Sequence, residues 1–189
     1  MGKVFESIDG KLKDFIEKQQ LFFVATAPLA GDGLVNLSPK GLDSFRILGP
    51  RTVAYLDLVG SGVETIAHLR ENGRIVILFC AFEGPPKIVR LNGQGEAIEP
   101  GHPEFEQLVA QFPSYPGTRS VIRVECSRIS DSCGFGVPLM PFQSHRKQLP
   151  AYAERKGPEG IEAYKKLKNA TSLDGLPGLA NLPAGEPAP

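Results

Sequence analysis

The chain has 189 residues, of which 41% are hydrophobic and 22% charged, and its lysines plus arginines equal its aspartates plus glutamates at 21 each. That length supports one well-buried core, with little room for two full domains. The balanced charge sets up no global field toward nucleic acid or an anionic membrane, so neither is an expected partner and any anion site has to be local.

The first twenty residues, MGKVFESIDGKLKDFIEKQQ, place Val4, Ile8, Leu12, Phe15 and Ile16 at helical spacing, which predicts an amphipathic helix over 4–20. The stretch is charged throughout and has no apolar h-region, so it does not read as a secretory signal. No apolar run approaches the roughly 20 residues that span a bilayer. Cys80, Cys126 and Cys133 form no CxxC pair, which predicts reduced thiols and a cytoplasmic location.

A series of short β-type runs follows: LFFVATA (21–27), LVNLS (34–38), SFRIL (44–48) and TVAYLDL (52–58). Residues 63–72 switch to helical spacing and stop at Gly73, in the manner of a helix ended by a left-handed glycine. Strands resume with RIVILFCAF (74–82), whose lack of polar alternation predicts burial on both faces, and with KIVRLNGQGEAI (87–98). A helix over 103–112 and the strand SVIRVECSRI (120–129) complete the set. Successive strands with few helices between them predict a mainly β fold, an antiparallel split barrel with peripheral helices, over residues 1–140. GQGEAI lies within a strand run instead of opening a helix, which excludes a Rossmann reading. Residues 141–189 read as a helical extension and a Pro- and Gly-rich arm, with SLDGLPGL laid across a neighbouring surface.

The chemistry concentrates where TVAYLDL runs into GSGVET. Gly60 and Gly62 permit a turn with successive N–H groups on one side, and the helix behind it adds its positive end, so a phosphate would fit there. Ser61 and Thr65 supply hydroxyls. The same residues also fit a capping box, Ser61 as N-cap with Glu64 three residues on. Lys40 in NLSPKG, and Lys87 or Arg90 in PPKIVRLNGQG, are cations that could reach such a phosphate. Cys133 in SDSCGFGVPLM reads as a thiol in a tight turn, with a substrate contact as the sharper alternative.

The order strand, SPKG, strand, AYLDLVGSGVETIAHLRENGR, buried strand, PPKIVRLNGQGE resembles the pyridoxamine 5′-phosphate oxidase-related family of FMN-binding split barrels over about residues 5–130. The resemblance implies FMN at a homodimer interface and the phosphate held by Lys40, by Ser61, Gly62 and Thr65, and by Lys87 with Arg90 as second choice. CGFGVPLM and SLDGLPGL resemble a branch of the family other than the vitamin B6 oxidase itself. The oxidase proper carries Ser-Arg-Lys in the turn; here Val63-Glu64-Thr65 stand there, Ile88 replaces a strand glutamine, and His145-Arg146 do not match its substrate motif. The implied function is an FMN-dependent oxidoreductase acting on a small molecule. The alternatives are a flavin or haem carrier or sensor without turnover, and a reductase using the deazaflavin F420.

Overall fold

The computed structural model describes residues 2–183. Its strands are β1 (Val4–Phe5), β2 (Phe22–Thr26), β3 (Asn36–Lys40), β4 (Phe45–Ile47), β5 (Thr52–Leu58), β6 (Arg74–Cys80), β7 (Ile88–Ile98) and β8 (Thr118–Ser132). The helices are α1 (Gly10–Glu17), α2 (Glu64–Asn72), α3 (Phe105–Val109) and α4 (Gln148–Lys168). All strands join one sheet in the order β3-β2-β6-β7-β8-β5-β4, with β1 added on β8, and every pairing is antiparallel.

Two register shifts, at Asn92/Gly93 between β7 and β8 and at Asp57/Leu58 between β5 and β8, bend the long strands and curl the sheet. Gly93 has to be glycine at its bulge, because a Cβ would collide with the Glu125 carbonyl. The curl brings the two ends of the sheet together without a backbone ladder between β3 and β4. Rings from four strands fill the gap: Phe22, Phe45, Tyr55 and Phe79 pack with centroids 5.0–5.7 Å apart. This is a split barrel. Val24, Ile77, Val89, Leu91, Ile122 and Val124 are wholly buried inside it, each such side chain contributing about 1.5–3 kcal/mol.

Helix α2 packs on β7 where Gly95 leaves room for Leu69, whose Cδ2 would lie 2.9 Å from a Cβ there. Gly73 ends it at φ 70°, as its place in the sequence suggests. At the N-terminus the expected helix is shorter. Val4 and Phe5 pair with Ser130 and Ile129 of β8, Lys3 N–H donates to Asp131 Oδ1 at 2.7 Å, and α1 starts only at Gly10. The sheet edge captures residues that periodicity alone assigns to the helix. In β6 the burial alternates, with Val76 and Leu78 only half covered, because the outer face of that strand is partly open. α4 is two helices meeting at Gly157 (φ 65°, ψ 172°), just before Pro158.

The segment after α4 turns back over α2 of the same chain. Leu34 N–H donates to both oxygens of Asp174 at 3.1 and 3.2 Å, Arg70 Nη1 donates to the Gly178 carbonyl, and Ala180 N–H donates to Glu99 at 2.9 Å. Residues 184–189 of the arm lie outside the described residues. Among the described residues no helix is long and apolar enough to cross a membrane, and no group of three or more His, Cys, Asp or Glu could hold a metal ion.

Candidate cofactor cleft

β5 leaves the sheet at Leu58, Val59 N–H donates to the Gly117 carbonyl at 2.8 Å, and the chain turns through Gly60-Ser61-Gly62 into α2. Ser61 does not cap that helix. Val63 is the N-cap and no side chain bonds the first turn, while the Glu64 carboxylate folds back against Gly62. Ser61 is exposed, and among the described residues the N–H groups of Ser61, Gly62 and Val63 have no acceptor. The carbonyls of the turn are tied instead: Asn169 Nδ2 donates to Gly60 O at 3.0 Å and Arg119 Nη1 to Gly62 O at 2.9 Å.

Arg119 belongs to a buried ionic centre beneath the turn. Its Nε donates to Asp57 Oδ2 at 2.6 Å, Ser120 Oγ donates to the same oxygen at 3.2 Å, and Lys40 Nζ stands 3.6 Å from Oδ1. Asp57 and Arg119 are 1% and 4% exposed. Burial pushes the Asp57 carboxyl up, but Arg119 and Lys40, with the bonds from Arg119 and Ser120, outweigh it and hold the group below the usual carboxylate range. Burial, with Asp57 nearby, drives the Tyr55 phenol well above its ordinary range, so it stays protonated near neutral pH.

Lys40 is the member of this centre that reaches solvent, its side chain 24% exposed, and it lines a cleft of about 1520 Å³. The walls come from α1, from residues 39–42, from the end of β5 through Gly60, from residues 81–85, and from a strap over 140–149. Met140 N–H donates to Phe82 O at 2.9 Å, Phe142 N–H to Glu83 Oε1 at 3.2 Å, and Leu42 N–H to His145 Nδ1 at 3.3 Å, so the strap is held at both sides of the cleft. Leu42 takes φ 64°, a conformation costly for a side chain with a Cβ. Because Nδ1 of His145 accepts, the neutral ring carries its proton on Nε2 and is a donor within the cleft.

The six residues singled out from the sequence separate into two groups. Lys40 pairs with Asp57 and lines the cleft, and Gly62 is tied to the same centre through its carbonyl, whereas Ser61 is exposed at the turn; the cleft lining reaches Gly60 and includes neither Ser61 nor Gly62. Thr65 faces inward, 6% exposed, its Oγ1 accepting from Asn36 Nδ2 at 3.0 Å. Lys87 pairs with Asp131 at 3.6 Å and lies over Phe5 and Phe15, with centroids at 5.6 and 5.2 Å. Arg90 Nη1 donates to Ser132 Oγ at 3.0 Å. Neither lines the cleft; β2 and β6 stand between β3 and β7 in the sheet. Cys133 is exposed, whereas Cys80 and Cys126 are buried, burial pushing the Cys126 thiol up to about 11.

Sequence reasoning passed over Asp57, Arg119 and Asn169. Asp57 did leave a signal, since alternation along TVAYLDL sets it on the same strand face as Tyr55, inside the barrel. Arg119 and Asn169 left none, being 57 and 109 residues from the turn carbonyls they bind.

Residues 8–133 match the family model described as pyridoxamine 5′-phosphate oxidase. The chain belongs to the pyridoxamine 5′-phosphate oxidase family. It is 42% identical to the pyridoxamine 5′-phosphate oxidase family protein ustO of Aspergillus flavus, over 93% of this chain and 77% of that protein. Among solved structures it resembles a histidine-to-alanine variant of Group A Streptococcus HupZ at 25% identity and TM-score 0.51, covering 66% of this chain and 99% of the other. A putative pyridoxamine 5′-phosphate oxidase from Lactobacillus delbrueckii shares the fold at 17% identity and TM-score 0.52, over 67% of this chain and 98% of that one. The chain has no cation at Val63-Glu64-Thr65, and β8 carries the Arg119 guanidinium to the Gly62 carbonyl.

Proposed function

We propose that the chain binds flavin mononucleotide in the cleft at Lys40 and Gly60, as a homodimer, and serves as an oxidoreductase for a small molecule. The observation that carries this reading is Gly60. Its φ is not positive, and a Cβ built on it would meet nothing within 4 Å, so neither backbone nor packing in this chain requires glycine. A ligand pressed against the turn, in the cleft that Lys40 also lines, would give the position a reason to lack a Cβ. The cleft exceeds the roughly 300–1,000 Å³ of a small-molecule pocket, and the strap's exposed apolar residues, Met140 at 49% and Phe142 at 44%, suit coverage by a second copy.

Flavin, when bound, supplies the hydride chemistry. Lys40 offers a charge-assisted bond to the phosphate, and Ser61 adds its hydroxyl and N–H. Leu56 and Leu58 supply apolar wall, and His145 offers an N–H donor on the strap side. The cleft's rim carries Lys11, Lys18 and Arg146 against Asp14 and Glu83, which favours an anionic substrate. A haem iron at His145 would need the Nε2 lone pair and would cost the bond from Leu42, so flavin fits this ring better than haem does.

FMN mixed with the purified protein should leave flavin bands that survive desalting; a colourless protein after that treatment overturns the reading. Gly60→Ala should fold as well as wild type or gain about 0.4–1 kcal/mol, yet bind FMN more weakly by fluorescence titration. Glu64 opposes an anion at Gly62, so Glu64→Gln should tighten FMN binding by about two- to fivefold, as removal of a partly exposed like charge implies.

A further inference from the structure

We infer that Asn169, in the segment after α4, is a positioning residue for the Gly60–Gly62 turn and so sets how well the turn takes the phosphate end of a ligand; the inference rests on the FMN reading above. Among the described residues there are no cis peptide bonds, so in the peptide units of the turn the C=O points opposite to the N–H of the following residue. Asn169 holds the Gly60 carbonyl and Arg119 holds the Gly62 carbonyl. The N–H groups of Ser61 and Val63 are thereby turned away from the two side chains that grip the turn, and they remain without acceptors among the described residues.

Asn169 is itself fixed. It is wholly buried, its N–H donates to Lys165 O at 2.7 Å, and its carbonyl accepts from Leu179 N–H at 3.0 Å. Gly178 lies so close that a Cβ there would collide with the Asn169 carbonyl and reach 2.9 Å from Val63 Cγ1. The Asn169 side-chain oxygen, by contrast, has no partner among the described residues. A buried amide that leaves its acceptor bare is a poor choice for holding the segment down, which its backbone bonds already do. Its one side-chain bond is the one to Gly60, and that bond sets the direction of the Ser61 N–H.

The test compares dissociation constants for FMN and for riboflavin, which lacks the phosphate, in wild type, Asn169→Ala and Ser172→Ala. Ser172 is wholly buried and accepts from Leu176 N–H at 3.1 Å within the same segment, with no bond to the turn. Asn169→Ala should lose about tenfold in FMN affinity while riboflavin changes less than about twofold. Ser172→Ala should lower the melting temperature and keep the FMN preference. If Asn169→Ala fails to fold, Asn169→Ser, a smaller polar change, takes its place with the same expectation. An unchanged FMN-to-riboflavin ratio in the Asn169 variant overturns the assignment, as does an equal loss in Ser172→Ala, which would credit docking of the segment. A wild type without preference for FMN overturns the phosphate seat itself, a distinct failure.

Discussion

Arg119→Ala is expected to destabilise the fold by about 3–5 kcal/mol, the range for removing one partner of a buried ion pair. Asp57 would remain 1% exposed with only Lys40, 3.6 Å away, as counter-charge, and the Gly62 carbonyl would lose its donor. The Asp57→Leu/Arg119→Met double variant should be markedly less damaged than Arg119→Ala, because it removes both desolvated charges together. Urea midpoints for wild type, single and double variants give the comparison; a single variant within about 1 kcal/mol of wild type would contradict the burial and pairing seen here. The same centre sets an acid limb. The folded Asp57 carboxyl titrates below its ordinary range, so its stabilisation is complete above the unfolded value of about 3.9 and is lost as pH falls through the lower folded one. Asp57→Asn should therefore show a flatter loss of stability below about pH 4 than wild type does.

Lys40→Ala should weaken FMN binding by about 10- to 100-fold, the equivalent of about 1.5–3 kcal/mol for a hydrogen bond to a charged group. The fold should barely respond, because Asp57 keeps Arg119 at 2.6 Å and the Lys40 pair is partly exposed. Lys40→Arg should recover part of the affinity by restoring the charge. Lys87→Ala is the informative companion: its ammonium is paired with Asp131 and lies over Phe5 and Phe15, so FMN affinity should stay within about twofold of wild type. Equal losses in the two variants would place the phosphate elsewhere.

The sequence made the barrel legible because its strongest signals were local. TVAYLDL became β5 over the residues expected, and the 63–72 helix stopped at Gly73 in the left-handed region that only glycine adopts freely. Val4-Phe5 was misread because a helical spacing continued into it, while its actual partners, Ser130 and Ile129, lie at the far end of the barrel sequence. Long-range pairing overrides periodicity in this way wherever a sheet edge is open. The site divides similarly. Lys40 was legible from SPKG and the glycine turn from GSG, both short patterns with a local physical meaning. The residues that hold the turn were not, since Asp57 meets Arg119 across 62 residues and Asn169 meets Gly60 across 109. Ser61 read equally well as a cap, and only the observed helix start at Glu64, with Val63 as N-cap, removes that alternative.

The most direct measurement of the central claim is an equilibrium titration of FMN into wild type, Lys40→Ala and Gly60→Val side by side, with melting curves for each. Wild type is expected to bind and both variants to bind poorly at nearly unchanged melting temperature, because one removes the cation and the other fills the space at the turn. FMN bound equally well by all three proteins would contradict that claim and move the ligand away from the Gly60–Lys40 cleft.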